Sequence, residues 1–149
     1  MLAWRTCKTR YDPYDGTGAA LEGGRWNSPG RPLVYASDSF AGSILEILVH
    51  SARPRTLPGP HHAVRVDIPD DLVERLDPLL LSGWNRPSSP EARAFGDRWL
   101  ADARSSVLVV PALPSRPVGR TVLINLLHPD AGRIVRGAAF EVPWDERLF

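Results

Sequence analysis

Apolar positions along the chain form two kinds of pattern, and the first predicts strands. Short apolar runs, or apolar residues alternating with polar ones, recur between segments rich in glycine and proline. Such runs are typical of strands with one or both faces buried. Strands are therefore predicted at residues 2–7, 32–37, 62–68, 107–110, 122–125 and 132–137.

The second pattern is an apolar spacing of three to four residues, which predicts helices. One such stretch follows Asp38 and Ser39, either of which can cap a helix. In a later stretch Ser89 suits the N-cap and Pro90 the first helical position. A short helix is also expected after Pro69. The predicted helices are residues 39–50, 69–75 and 89–104.

The remaining segments are predicted to be irregular. Residues 11–24 are polar and glycine-rich, residues 77–89 are loop-like, and the tail 140–149 shows no period. Pro54, Pro58 and Pro60 predict a break in the chain. Strands and helices do not alternate regularly, and nothing divides residues 1–149 into two parts. The pattern therefore favours a single compact α+β domain with a twisted sheet.

Composition narrows the function classes without choosing one. The 149 residues suit one domain with one core, and a net charge of +1 argues against binding nucleic acid or an anionic membrane. The N-terminus does not resemble a signal peptide, and no apolar run is long enough to span a membrane. A single cysteine, Cys7, permits no internal disulfide and fits a reducing compartment. A cytoplasmic protein is therefore expected.

Glu46 is an isolated acid inside an apolar stretch, SFAGSILEILVH. One interpretation is a solvent-facing helix position between core-facing neighbours. The other is a carboxylate held in a cleft, where Gly42 one turn earlier leaves room for a ligand. A carboxylate there can stabilise a developing cation or bind a ribose hydroxyl. The residues alone leave both interpretations open.

The segment EGGRWNSPGRPLVYAS places Arg25 directly after Gly23 and Gly24. Glycines let a backbone approach a ligand closely, and an adjacent guanidinium can grip a phosphate. The alternative is an ordinary turn with a solvated arginine. Trp26 and Tyr35 fit the core, which is the commoner use of such aromatics, or a ligand platform. The functional interpretation is a phosphate-and-ribose cleft formed by this segment and the helix after it.

Other site types find no support in the sequence. His50 and His128 have no cysteine or carboxylate partners at metal-ligand spacing, so no metal site is predicted. No glycine-rich dinucleotide fingerprint, P-loop, nucleophile elbow or HExxH motif occurs.

A set of motifs spans nearly the whole chain: LAWR, GGRWNSPGRPLVYAS, LEILVH, GDRWL, VVP, VLIN with LHPD, and DERLF. Together and in this order they resemble the RES-domain family, toxins of bacterial toxin–antitoxin pairs that are named for an Arg, a Glu and a Ser. The resemblance implies a fold like that of ADP-ribosyltransferases and diphtheria-type toxins. It also implies that NAD is the substrate, with no separate cofactor, and that the nicotinamide–ribose bond is cleaved with water or phosphate as acceptor.

The resemblance also implies partners and two alternative activities. The expected partner is an Xre-type helix-turn-helix antitoxin that blocks the cleft, with a toxin homodimer inside the complex as a further expectation. One alternative activity is transfer of ADP-ribose to a protein. The other is a catalytically weakened module that retains only antitoxin binding.

Residue roles carried over from the family define the expected site. Arg25 would hold the pyrophosphate, and Gly24 and Trp26 would also contact NAD. Tyr35 would orient the nicotinamide end, and Glu46 would support the oxocarbenium-like transition state. Further contacts to NAD are expected from Arg5 and Asn125.

The family serine is the point at which this sequence departs from the pattern. It normally follows a Val-Pro pair, but here Val110-Pro111 is followed by Ala112. Ser115, three residues on, is the candidate replacement.

Overall fold

A computed structural model describes residues 1–50, 56 and 58–149 of the chain. The strands are β1 (Leu2–Lys8), β2 (Leu33–Ser37), β3 (His61–Asp67), β4 (Val73–Arg75), β5 (Val107–Pro111), β6 (Arg120–Asn125), β7 (Val135–Arg136) and β8 (Phe140–Glu141). The helices are α1 (Thr17–Glu22), α2 (Phe40–Val49) and α3 (Pro90–Asp102). Among the described residues no helix is long and apolar enough to span a membrane.

The five long strands and the two long helices confirm the sequence predictions. Ser39 caps α2 by accepting a hydrogen bond from the Gly42 amide, and Ser89 caps α3 by accepting from the Ala92 amide. Pro90 occupies the first turn of α3, as expected. The predicted break at Pro54 lies outside the described residues.

Three local predictions are wrong, and a fourth, the strand at residues 132–137, is confirmed only in part. Residues 11–24 contain α1, and the helix predicted at 69–75 is a 3-10 turn, Asp70–Leu72, followed by β4. Residues 73–75 are extended because they pair with β5. Their conformation is therefore set by a tertiary contact and not by the local spacing of apolar residues. Of residues 132–137, β7 covers Val135–Arg136, and the tail holds β8 and a 3-10 turn, Glu146–Leu148.

The strands form one mixed, curled sheet with the order β4-β5-β6-β2-β1-β3-β7, and β8 also pairs with β3. β4 and β5 are parallel, whereas the other paired strands are antiparallel. The α+β prediction is confirmed.

Side chains alternate between two core clusters along the central strands. On β2, Val34 belongs to the first cluster, whereas Leu33 belongs to the second and Tyr35 packs against it. The second cluster is covered by α3, whose Trp99 and Leu100 are buried in it. The period of two that predicted the strands therefore also sorts their side chains between the two faces.

The sheet opens between β1 and β2. β1 pairs with β3 over seven positions, but its ladder with β2 has the single pair Trp4 and Ser37. α2 packs across this gap, and the Thr6 and Ser43 hydroxyls lie 2.8 Å apart within hydrogen-bond distance. A cleft forms where the two strands diverge.

Candidate active site

The gap between β1 and β2 holds a cleft of about 930 Å³, here named the β1–β2 cleft. Its walls come from β1, β2, α1, the inner face of α2, and loops at residues 23–26, 87–89 and 111–114. Charged side chains of both signs line it: Arg5, Arg25 and Arg93, with Asp12, Asp15, Glu22 and Glu46. The prediction that one cleft joins the glycine–arginine segment to the helix after it agrees with this geometry.

The glycine–arginine loop, residues 23–28, needs both of its glycines for steric reasons. Gly23 has a φ of +70°, a conformation that favours glycine. A Cβ on Gly24 would lie 2.5 Å from the Tyr35 hydroxyl oxygen. The phenol of Tyr35 thus occupies the space that a side chain at residue 24 would need.

Tyr35 fastens this loop to β2. Its hydroxyl donates to Asn27 Oδ1 at 2.7 Å and accepts from the Trp26 amide at 3.1 Å. Asn27 is fully buried, and its Nδ2 donates to the Ala19 and Ser28 carbonyls. Burial raises the pKa of Tyr35 to about 12, so the phenol is neutral at physiological pH. Tyr35 therefore contributes a fixed, uncharged wall to the β1–β2 cleft.

α3 holds the other side of the same loop. The Asp97 carboxylate accepts from the Ser28 amide at 2.8 Å and from the Ser28 hydroxyl at 2.6 Å. A Cβ on Gly96 would overlap the Trp26 carbonyl, so helix and loop are in direct backbone contact. Trp26 is 2% exposed and belongs to the second core cluster while bordering the cleft.

Arg25 makes most of its hydrogen bonds to the loop at residues 84–87. Its Nη1 donates to the Trp84 and Arg86 carbonyls at 2.9 and 2.7 Å, and its Nη2 donates to the Pro87 carbonyl at 3.3 Å. A guanidinium has five N–H groups, so two remain for a ligand. Burial lowers the pKa of Arg25, and Glu46 and Tyr35 oppose that shift. Arg25 lines the cleft but also fixes its wall.

Arg5, in contrast, has most of its N–H groups free within the described part of the chain. Its Nη1 donates to the Tyr35 carbonyl at 3.1 Å, bridging the gap between β1 and β2. The other four of its five N–H groups have no partner among the described residues. Burial lowers the pKa of Arg5, and the nearby charges of Cys7, Asp15 and Glu46 oppose that shift. A partly buried guanidinium with free donors facing a cleft is suited to an anion.

Glu46 projects from α2 into the β1–β2 cleft and is 37% exposed. Burial raises the pKa of this carboxyl, whereas His50, Arg25 and Arg5 act to lower it. The idea that Gly42 leaves room for a ligand is wrong. A Cβ at Gly42 would collide with the Ser37 hydroxyl, so that glycine serves the packing of α2 on β2.

Two predicted site residues are not brought to the cleft. Neither Ser115 nor Asn125 is among the described residues that line it. Ser115 instead packs against Gly119 in a tight turn, and Asn125 accepts the Leu127 amide through its side chain. Ala112, at the family's serine position, is buried.

The sequence reasoning missed several cleft residues. Thr121 lies opposite Ser37 on neighbouring strands, and both hydroxyl side chains line the cleft. His50 also lines it, one helical turn after Glu46. The spacing of four on a helix was visible and could have identified His50. No group of His, Cys, Asp or Glu suited to a metal ion occurs in the part of the chain that the structure describes.

Comparisons with known proteins identify the family of this chain and a solved structure with the same fold. The family model described as RES domain matches residues 2–145. Toxin Res of Pseudomonas putida is 36% identical over 133 residues, covering 88% of each chain. The Prs ADP-ribosylating toxin of Sphingobium sp. is 34% identical over 142 residues, covering 92% of this chain and 87% of its own.

A solved structure shares the fold. A chain in the crystal structure of the M. tuberculosis MbcT–MbcA toxin–antitoxin complex superposes with a TM-score of 0.73 at 20% identity. The match covers 95% of this chain and 83% of that one. With the family match and the relatives at 30% identity or more, the result is unambiguous: the chain belongs to the RES-domain toxin family.

Proposed function

We propose that this chain is the toxin of a toxin–antitoxin pair and that it cleaves the nicotinamide–ribose bond of NAD. The observation that carries the proposal is the placement of Arg5 and Glu46 in one cleft at the opening of the sheet. A dinucleotide has a doubly charged pyrophosphate and ribose hydroxyls, and these two side chains match those groups. An ADP-ribosyltransferase-like architecture, which the family resemblance implies, is part of the same proposal.

The pyrophosphate would bind between the two arginines. Arg5 offers four free N–H groups, and Arg25 offers the two that loop 84–87 leaves unused. Pairing with an anion offsets the cost of burying the Arg5 charge. Arg5 is therefore the main phosphate ligand in this proposal, and Arg25 is a secondary one that also positions the wall.

Glu46 would act at the scissile bond. When nicotinamide leaves, positive charge develops on the ribose ring, and a carboxylate bound to a ribose hydroxyl stabilises that charge. The environment of Glu46 suits this role, because partial burial strengthens the interaction, while Arg25 and Arg5 oppose the rise that burial causes in the pKa of the carboxyl. Tyr35, a neutral phenol on the same wall, would border the nicotinamide end.

The test is the loss of NAD and the release of nicotinamide by the purified protein, measured by chromatography with and without inorganic phosphate. Glu46→Gln is expected to lower the turnover number by about 100-fold or more. Glu141→Gln is the matched control, since Glu141 is exposed on β8 and does not line the cleft. An unchanged rate in Glu46→Gln would refute the proposed mechanism. A dependence on phosphate would identify phosphate as the acceptor.

A second candidate is transfer of ADP-ribose to a protein. It is favoured by the Sphingobium relative, whose name describes an ADP-ribosylating toxin. The same residues would cleave NAD, and the acceptor would be a side chain of the target. NAD labelled in its adenylate part distinguishes the two activities, because only transfer leaves the label on protein.

An antitoxin of the Xre type is the proposed partner. The fold neighbour comes from a toxin–antitoxin complex, and the mouth of the β1–β2 cleft carries the exposed apolar side chains of Tyr11, Leu21 and Val49. Covering this rim would remove apolar surface from water and block NAD. Expression of the toxin alone is expected to arrest growth, and co-expression of the antitoxin is expected to restore it. A toxin dimer within the complex stays a prediction.

A further inference from the structure

His50 lies at the C-terminal end of α2, where its side chain is 78% exposed and lines the β1–β2 cleft. Its Nδ1 is 2.8 Å from the backbone carbonyl oxygen of Glu46. A carbonyl oxygen only accepts hydrogen bonds, so Nδ1 carries a hydrogen. In the neutral imidazole the lone pair is then on Nε2. Nε2 has no hydrogen-bond partner among the described residues.

The ring is also close to the carboxylate at the centre of the proposed chemistry. His50 Nδ1 is 3.8 Å from Glu46 Oε2. If Glu46 holds a ribose hydroxyl, the anomeric carbon next to that hydroxyl lies within a few ångströms of the ring. An acceptor that approaches the anomeric carbon from the open mouth of the cleft passes the exposed imidazole. Nε2 is therefore available for hydrogen bonding to that acceptor.

We propose that His50 is the general base that activates the acceptor in this reaction. The inference rests on the proposed NAD cleavage and assigns to His50 a role that the family resemblance does not include. The bond between the anomeric carbon and the nicotinamide nitrogen breaks, and its electron pair leaves with nicotinamide. The acceptor oxygen forms the new bond to the anomeric carbon. The proton of the acceptor passes to His50 Nε2 and from there to solvent.

The charges around His50 are compatible with this role. Among the described residues, Glu46 on the same helix is the charged group in contact with the ring, and a carboxylate stabilises the imidazolium formed by proton transfer. The charged side chains that line the same cleft from other elements are Arg5, Asp12, Asp15, Glu22, Arg25 and Arg93. None of these six makes an ion pair or a hydrogen bond with His50 in the described part of the chain.

A purely structural role has to be separated from a chemical one, because Nδ1 also caps the last turn of α2. His50→Asn serves this purpose, since the asparagine amide nitrogen can replace Nδ1 while nothing replaces Nε2. His62→Asn is the matched control. His62 is on β3, outside the described residues that line the cleft.

The experiment measures the turnover number and KM for NAD of the native protein and both variants from pH 5 to 9, with melting temperatures alongside. His50→Asn is expected to lower the turnover number by about 100-fold, with KM and melting temperature nearly unchanged. The native turnover number is expected to fall towards acid pH, because a protonated imidazole cannot accept the proton of the acceptor. This fall should be absent from His50→Asn and present in His62→Asn.

Three results would overturn the inference. An active His50→Asn with the native pH profile would show that the ring takes no proton. A loss of melting temperature or a raised KM, in place of a lower turnover number, would show a structural or binding role. A native protein that consumes no NAD would refute the proposed function and this inference together. The first two results leave NAD cleavage by the native protein intact.

Discussion

At the scale of single residues, the position of Glu46 in the cleft favours the proposed cleavage of NAD but lowers the stability of the fold. Burial raises the pKa of its carboxyl. A raised pKa means that the folded state binds the proton more tightly than the unfolded state. The stabilising contribution is thus fully present below the ordinary glutamate pKa and is lost as pH rises through the folded-state pKa. At neutral pH the ionised carboxylate destabilises the fold.

Glu46→Gln should therefore be at least as stable as the native protein at pH 7. The amide carries no charge to desolvate, so its melting temperature is expected to be equal or higher. The difference should shrink as pH falls through the raised folded-state pKa, and it should be smallest below about 4.3, where the carboxyl is protonated in the unfolded chain as well. Melting curves at pH 4, 5.5 and 7 measure this, with Glu141→Gln as the exposed control. A Glu46→Gln protein that is less stable at pH 7 would show that the carboxylate stabilises the fold.

The hydroxyl of Tyr35 is expected to contribute to the stability of the fold through its two hydrogen bonds. Tyr35→Phe removes the acceptor of the Trp26 amide and the donor to Asn27. Leaving such buried groups unpaired costs about 1–3 kcal/mol in the free energy of unfolding. Urea denaturation tests this, with Tyr11→Phe as the control, because Tyr11 is exposed. Equal stability of the two variants would mean that water replaces the lost hydroxyl without cost.

At the scale of elements, α3 and the glycine–arginine loop are packed backbone to backbone at Gly96. Gly96→Ala would place a methyl group against the Trp26 carbonyl, which must then move. Overpacking of this kind costs about 1–3 kcal/mol. Gly18→Ala in α1 has nothing within 4 Å of the added carbon and should be neutral or stabilise by up to about 1 kcal/mol. Urea denaturation of both variants gives the comparison, and a Gly96→Ala protein as stable as Gly18→Ala would contradict the packing.

Elements with a long, regular period could be predicted from the sequence, whereas elements decided by tertiary contact could not. α2 and α3 have clear spacing and serine caps. α1 was hidden by Gly16 and Gly18, which locally indicate a loop. β4 follows a proline turn and is extended because β5 provides its partner. A pairing between residues more than 30 positions apart leaves no trace in local spacing.

The candidate site likewise has features that could be predicted from the sequence and features that could not. Arg25, Tyr35 and Glu46 were brought together on the cleft because two short segments carry all three. The use of Arg25 as a tie to loop 84–87 was not foreseeable, since the carbonyls that it binds are about 60 residues away in sequence. Ser115 does not line the cleft for a local reason: it lies in a tight turn that is closed by the hydrogen bond from the Gly119 amide to the Ser115 carbonyl.

At the scale of the whole molecule, the opening between β1 and β2 divides the sheet into two parts. β4, β5, β6 and β2 lie on one side of it, and β1, β3, β7 and β8 lie on the other. The two parts are joined across the opening by the residue pair Trp4 and Ser37, by the hydrogen bond from Arg5 to the Tyr35 carbonyl, and by the contacts of α2 with both strands. A ligand in the cleft therefore contacts groups from both parts. Because this arrangement exists only in the folded state, binding must stabilise the whole domain.

The last prediction follows from this coupling. In Glu46→Gln, where bound NAD is expected to be consumed at least about 100-fold more slowly, NAD at about 100 times its dissociation constant should add about 2.7 kcal/mol to the stability. For a domain of this size that is a rise in melting temperature of roughly 5–10 °C. Adding Arg5→Gln should remove most of the rise, because the free donors facing the cleft are lost.

The change in melting temperature on adding NAD is the quantity to compare, since Arg5→Gln also loses a bond across the opening and lowers the baseline. Arg65→Gln provides the control, because Arg65 pairs with Asp67 on exposed β3 positions away from the cleft. If the double variant with Arg5→Gln keeps the full NAD-induced rise, Arg5 is not a phosphate ligand. The two remaining donors of Arg25 would then have to hold the pyrophosphate, as the family resemblance first implied.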